Sequence, residues 1–160
     1  MTNLLVRPAS RADLQAICLI EDNSFSDPYP RYLIMKLLEE IGNGFLVAQK
    51  SSGELVGYCA TSNEGHLAHL ISIAVLSGHR KGGVATALLR RLVEYLAARG
   101  IEELWLEVKQ GNKNAIRLYE KFGFAKVMLL ENYYSDGSTA LRMRMSLRKG
   151  VLKVSHNQRS

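Results

Sequence analysis

The stretch from Ile71 to Leu89, ISIAVLSGHRKGGVATALL, sets an apolar strand before a short basic, glycine-rich turn that opens directly into a helix. Backbone N–H groups at a helix N-terminus are unpaired and partly positive, so they receive phosphate oxygens. Gly82 and Gly83 let the main chain approach an anion with no Cβ in the way. Arg80 and Lys81 add cationic donors. The pattern suits a diphosphate, and it equally describes a tight strand-to-helix connection with solvated basic residues. Two common phosphate fingerprints are excluded. The turn does not end in Gly-Lys-Ser/Thr, and no G-x-G-x-x-G follows the first strand with an acidic residue about 20 positions later.

Three further residues are of types that move protons. Glu107 alternates with Leu106 and Val108, so it shares a strand face with Trp105 and Lys109; a glutamate there is ordinarily solvated. His69 opens a strand, and imidazole as a type suits a base near neutral pH. Tyr119 lies on a helical stripe with Ala115, Leu118 and Phe122 that packing alone accounts for, yet a tyrosine can bury its ring and keep its hydroxyl in a site. Asn112 reads as a helix N-cap. Tyr29, Tyr133 and Tyr134 stand in loops, where aromatics either pack on the edge or line an entrance.

These residues need elements to place them. Leu4 to Arg7 reads as a short strand running into Pro8-Ala9-Ser10, where Ser10 and Asp13 make a capping-box start. Leu14, Ile17, Cys18 and Glu21 follow at helical spacing and leave one face mostly apolar. Ser24 to Pro30 is a loop, and Pro30 suits the first turn of a second helix with the stripe Leu33, Ile34, Leu37, Leu38 and Ile41. Three strands come next, Gly44 to Gln49, Leu55 to Ser62 and His66 to Leu76, joined by turns. Val84, Ala85, Leu88, Leu89, Leu92, Val93 and Leu96 mark a long amphipathic helix that Gly100 stops. A strand over Ile101 to Lys109 and a shorter helix from Asn112 to Gly123 follow. A last hairpin pairs Phe124 to Leu130 with Thr139 to Leu147. The order is βααβββαβαββ, which predicts one α/β domain with a mixed sheet.

Arg80-Lys81-Gly82-Gly83-Val84-Ala85 resembles the R/Q-x-x-G-x-G/A pyrophosphate loop of the GNAT acetyltransferases. Ile73-Ala74-Val75 before it resembles their cofactor-facing strand. Downstream, Leu106-Glu107-Val108, Asn112, Ala115, Leu118-Tyr119 and Gly123-Phe124 resemble their second conserved block. Both blocks come in order and at family spacing, and the element order extends the likeness over nearly the whole chain. Within the superfamily, Phe25-Ser26-Asp27-Pro28-Tyr29, the Trp105 to Val108 run and Asn132-Tyr133-Tyr134 look like those of the N-terminal protein acetyltransferases. The ribosomal-protein alanine acetyltransferases and archaeal enzymes of broader range are the nearest resemblances. Lys109-Gln110-Gly111 departs from the usual Arg-x-Ser run, and Ala85 takes an allowed place of glycine.

The resemblance implies a GNAT-type domain over residues 1–148, with a mixed, mostly antiparallel seven-stranded sheet, a parallel splayed central pair and about four helices. It implies acetyl transfer from acetyl-CoA, as co-substrate, to the N-terminal α-amine of a protein or peptide by direct attack in a ternary complex. Main-chain groups of Ile73, Ala74 and Val75 would hold the pantetheine and polarise the thioester, a strong device when an N–H faces a developing oxyanion. Residues 80–85 would hold the pyrophosphate, and Asn112 would hydrogen-bond the cofactor. Glu107 becomes the candidate general base, relaying the amine proton through water, with His69 the second candidate. Asp27 stands where some relatives carry a glutamate. Tyr119 becomes the general acid for the CoA sulfur. Tyr29, Tyr133 and Tyr134 would flank the peptide entrance.

Composition bounds the rest. The 160 residues carry 47% hydrophobic and 22% charged residues, ordinary globular usage. No run approaches the roughly 20 apolar residues of a membrane span, and Arg7, Arg11 and Asp13 argue against a signal peptide. No metal-ligand spacing is visible, and Cys18 and Cys59 read as buried free thiols of a reducing cytoplasm. The net charge of +6 suits an anionic cofactor or ribosomal surroundings, with no nucleic-acid motif. A monomer or weak homodimer is expected, with a mobile basic tail over residues 149–160. Two other functions stay open: an acetyltransferase for a polyamine or aminoglycoside, and a catalytically silent acyl-CoA-binding module.

Overall fold

The chain's first strand, β1 (Leu4–Pro8), stops at a proline, and a 3-10 turn at Arg11–Asp13 leads into α1 (Leu14–Ser24). The main-chain N–H of Ser10 donates to Asp13 at 2.8 Å, the reciprocal contact the Ser-x-x-Asp spacing predicts. Arg7 reaches the same carboxylate with two bonds of 2.9 Å and holds it below the usual carboxylate range. After α1 come α2 (Arg31–Ile41), β2 (Phe45–Lys50), β3 (Leu55–Glu64), β4 (Leu67–Val75), α3 (Val84–Ala98), β5 (Glu103–Lys109), α4 (Lys113–Phe122), β6 (Ala125–Leu130) and β7 (Ala140–Ser146). This computed structural model describes residues 3–148; the basic tail expected to be mobile lies outside them.

The expected order of elements is the observed one. Among the described residues the strands form one seven-stranded sheet in the order β1-β2-β3-β4-β5-β7-β6, the mixed sheet of a single α/β domain. β4 and β5 are parallel, and their ladder is short, from Leu67↔Glu103 to His69↔Trp105. Two short 3-10 turns, at Gly42–Gly44 and Ser77–His79, join longer elements; three residues are too few to show a period in the sequence.

Two compact units can be told apart. The first gathers the chain up to Ser62 with Ile71–Tyr95, and the second Asn63–Leu70 with the chain from Leu96 on. In the first, Leu14, Ile17 and Ile20 of α1 and Ile34 of α2 bury against Phe45, Val47, Tyr58 and Ala74 of the strands. Each such side chain contributes about 1.5–3 kcal/mol on full burial. Cys59 is buried and burial pushes its thiol up to about 12, while Cys18 is only partly buried; both are free thiols. In the second unit β5 alternates strictly. Leu104, Leu106 and Val108 are buried, with Ile116, Tyr119, Phe124, Met143 and Met145 also buried there. The opposite face of β5 carries Glu103, Trp105 and Glu107. No helix among the described residues is long and apolar enough to cross a membrane.

Candidate active site

Alternation puts Glu107 on the polar face of β5, and register decides what it meets there. β5 pairs antiparallel with β7 so that Glu107 stands opposite Arg142. Arg142 Nε donates to Glu107 Oε2 at 2.9 Å. From β4, His69 Nε2 lies 2.6 Å from Oε1, and the Tyr133 hydroxyl reaches the same oxygen at 3.4 Å. The Glu107 side chain is only 7% exposed, so the solvated glutamate expected of such a strand face is not what forms; His69 keeps 46%. Burial alone would raise the carboxyl, but hydrogen bonds from His69 and Arg142, with their charges, outweigh it and hold it at about 2.

An ionised carboxylate only accepts, so the His69 nitrogen facing it carries the hydrogen. In the neutral form of the ring, Nδ1 is then the nitrogen with a lone pair. The arrangement can orient an imidazole and stabilise its protonated form, the logic of a carboxylate behind a histidine base.

The loop bearing Tyr133 and Tyr134 is tied to β5 as well. Lys109 Nζ donates to Asp136 at 3.1 Å and lies 5.4 Å from the Tyr134 ring centroid. The two tyrosine rings meet edge to face at 5.0 Å. Ser138 gives Asp136 its main-chain N–H and its hydroxyl, and with Lys109 these hold the carboxyl well below the usual range. Lys109, which departs from the arginine of the resemblance, therefore anchors the loop it was not expected to touch.

Tyr119 is fixed by the way α4 ends. Gly123 takes φ +128°, its N–H donates to Glu120 at 3.2 Å, and the N–H of Phe124 donates back to Tyr119 at 2.9 Å. This is a Schellman cap. Its usual apolar contact is here the Tyr119 and Phe124 rings, edge to face at 5.6 Å. At the other end Asn112 Oδ1 accepts from the Ala115 N–H at 3.2 Å, so Asn112 is an N-cap.

In the first unit the basic turn has the geometry its residues suggested. Lys81 at φ 69° and Gly83 at φ 83° both take left-handed backbone immediately before α3 starts at Val84. Such a run can turn successive N–H groups toward one anion. Arg80 divides its work: its Nε donates to the Val75 carbonyl at 2.9 Å and straps the turn to the end of β4. That bond takes one of the two lone pairs of the Val75 carbonyl. Gly57 of β3 was not singled out in the sequence. A Cβ there would stand 2.9 Å from Val84 Cγ1 and 3.1 Å from the Ala74 carbonyl, so α3 begins as close to β3 as it does only because Gly57 has none.

Tyr29 also meets an unexpected partner. Its N–H donates to the buried Glu21 at 2.9 Å, and Glu21 takes a second, short bond from the Tyr58 hydroxyl. Burial, then the Glu21 charge, raises both phenols, Tyr58 far above the usual range. A glutamate on the apolar face of α1 was the available signal.

The acetyltransferase (GNAT) family matches residues 13–124. An N-alpha-acetyltransferase of Sulfolobus acidocaldarius is 37% identical, covering 91% of this chain and 94% of that one. The ribosomal protein bS18 alanine N-acetyltransferase of Escherichia coli K12 is 33% identical, covering 78% and 84%. The crystal structure of Ard1 from Thermoplasma volcanium matches with a TM-score of 0.85 at 30% identity, covering 89% and 97%. The chain belongs to the GNAT acetyltransferase family and is an acetyl-CoA-dependent N-acetyltransferase.

Proposed function

We propose that the acceptor is the N-terminal α-amine of a protein or peptide, a ribosomal protein among the candidates, and that the enzyme works in the cytoplasm as a monomer or weak homodimer. The observation that supports this best is the convergence of His69, Arg142 and Tyr133 on Glu107, in a chain similar to enzymes named for α-amine and alanine N-acetylation. A protein α-amine has a pKa of about 8, so a weak base is enough to keep it neutral at the moment of attack.

The contacts around Glu107 support the following roles. The amine attacks the thioester carbonyl directly, and the proton it sheds goes to Nδ1 of His69. Glu107, held ionised, orients the ring and stabilises the imidazolium. It is a poor proton acceptor itself, which shifts the base role from Glu107 to His69. Main-chain N–H groups of Ile73 to Val75 polarise the carbonyl oxygen. The Tyr119 hydroxyl gives its proton to the departing thiolate and is restored from solvent. Lys81, Gly82, Gly83, Val84 and Ala85 present N–H groups to the pyrophosphate, with Arg80 strapping the turn. Tyr29, Tyr133 and Tyr134 position the peptide backbone.

A mass readout of a peptide library varied at the first two residues, with acetyl-CoA, tests the acceptor. Peptides that begin with Ala or Ser should be acetylated at the α-amine, and lysine side chains, of pKa about 10.4, should react far more slowly at neutral pH. Tyr133→Ala should raise KM for peptide more than it changes kcat. Faster turnover of spermidine or an aminoglycoside than of every peptide, with Tyr133→Ala silent, would make this a small-molecule acetyltransferase.

A further inference from the structure

Glu21 stands apart from the roles assigned above. Its residue is 2% exposed, and its carboxylate is held by neutral donors: the Tyr29 N–H on one oxygen and the Tyr58 hydroxyl on the other. A buried carboxylate is costly wherever it stands, and an apolar residue would pack α1 at least as well. What a glutamate does that leucine cannot is accept from two elements at once. Here they are the 25–30 loop and β3.

The placement is specific. The main-chain carbonyl of Glu21 accepts the Phe25 N–H at 3.1 Å, and its carboxylate accepts the Tyr29 N–H. Both ends of the span from Phe25 to Tyr29 are thus tied to one residue. Pro28 and Pro30, with no N–H of their own, stiffen the far end. Phe25 and Tyr29 present exposed rings on that span. On the other side, the Tyr58 ring stacks on Phe45 with centroids 5.5 Å apart, and its hydroxyl lies 2.9 Å from Ser72 Oγ. Ser72 immediately precedes Ile73-Ala74-Val75 in β4. One hydrogen-bonded chain, Tyr29–Glu21–Tyr58–Ser72, buried at Glu21 and Tyr58, therefore links the loop to the strand.

We propose that Glu21 is a positioning residue for the acceptor, fixing Tyr29 against β4 at Ser72. This rests on the reading that the Tyr29 loop receives the acceptor. Glu21 then governs how well the acceptor binds, and leaves the chemical step and acetyl-CoA binding alone.

The test compares Glu21→Leu, Glu21→Gln and Tyr58→Phe in initial-rate kinetics, with hydrogen exchange of residues 25–30. Glu21→Leu should raise acceptor KM about tenfold, the scale of a lost hydrogen bond to a charged group, with faster exchange over the loop. Its kcat should stay within about twofold and its KM for acetyl-CoA should not move. Glu21→Gln should restore most of the acceptor KM, because its amide oxygen still accepts from Tyr29 while its NH2 faces the Tyr58 oxygen. Tyr58→Phe keeps the stacked ring and should give a smaller rise. It carries the test alone if Glu21→Leu fails to fold. Loop exchange that quickens while every acceptor KM stays at the wild-type value would make the network purely structural and overturn the proposal. A fall in kcat with KM unchanged would overturn it too. If the wild type prefers a small amine to all peptides, the proposed acceptor is wrong, and the same KM comparison with that amine decides the role of Glu21 separately.

Discussion

A carboxylate that faces His69, Arg142 and Tyr133 at once, and sits at about 2, stays ionised through the whole working range of an acetyltransferase, and that limits what it can do. Glu107→Gln keeps the shape and loses the charge that stabilises an imidazolium. We expect kcat to fall by about 10²-fold to 10⁴-fold, the range of a lost acid–base group. His69→Ala should fall as far, and the double variant little further, since the two act as a unit. Steady-state rates on an Ala-first peptide decide it; a crippled Glu107→Gln beside an unaffected His69→Ala would return the base role to Glu107. Stability carries a second signature. The Glu107 carboxyl sits at about 2 in the folded chain, below the ordinary 4.5. Its depressed pKa contributes stability that is fully present above the unfolded value and lost as pH falls through the folded one. The gap in urea midpoint between wild type and Glu107→Gln should narrow as pH falls from about 5 toward about 2. Glu107 and His69 were legible from alternation and residue type. Arg142 was not, because its place opposite Glu107 depends on the register of β7 against β5, two strands separated in the chain by α4 and β6. No short-range pattern in the sequence encodes that register.

At the scale of elements, helix ends do the positioning. The long helices and alternating strands were readable because their periods run for ten residues or so, whereas the cap that seats Tyr119 was visible only as Gly123 followed by Phe124. Gly123→Ala must place a side chain at φ +128°, with its Cβ 3.5 Å from Met145 Cε. It should cost more than about 1 kcal/mol in chemical denaturation and lower kcat by loosening Tyr119. Phe124→Leu should keep most of the stability and still lower kcat. The loss of kcat would be absent in both variants if Tyr119 served packing alone. Gly57 was illegible for another reason: what excludes a side chain there is α3, distant in sequence. Gly57→Val must push back Val84 and Leu88, at an overpacking cost of about 1–3 kcal/mol. Because α3 starts at Val84, the displacement falls on the turn that precedes it. The variant should therefore weaken acetyl-CoA binding by calorimetry more than Leu88→Ala does, although the latter removes more apolar contact.

Across the whole molecule, cofactor binding and folding are one linked equilibrium. Acetyl-CoA binds the folded chain and not the unfolded one, so stability must rise with the logarithm of its concentration. At a hundred times Kd the gain is about 2.7 kcal/mol, and each kcal/mol moves Tm by roughly 2–4 °C in a chain of this size. A rise of roughly 5–11 °C is then expected in a thermal scan. The source of the binding energy can be tested in the same scan. Gly83 sits at φ +83°, two residues after Lys81 at φ 69°, so a side chain there strains the backbone while nothing crowds its Cβ. Gly83→Asp adds backbone strain and a negative charge where a pyrophosphate would sit. The apo protein should lose only a degree or a few, and the acetyl-CoA shift should vanish. Gly83→Ala adds the strain without the charge, and should keep part of the shift. Equal loss in both variants would mean that backbone shape alone makes the site. A full shift in Gly83→Asp would move the pyrophosphate away from residues 80–85, and leave Lys81 and Gly83 as a tight connection between β4 and α3 and nothing more.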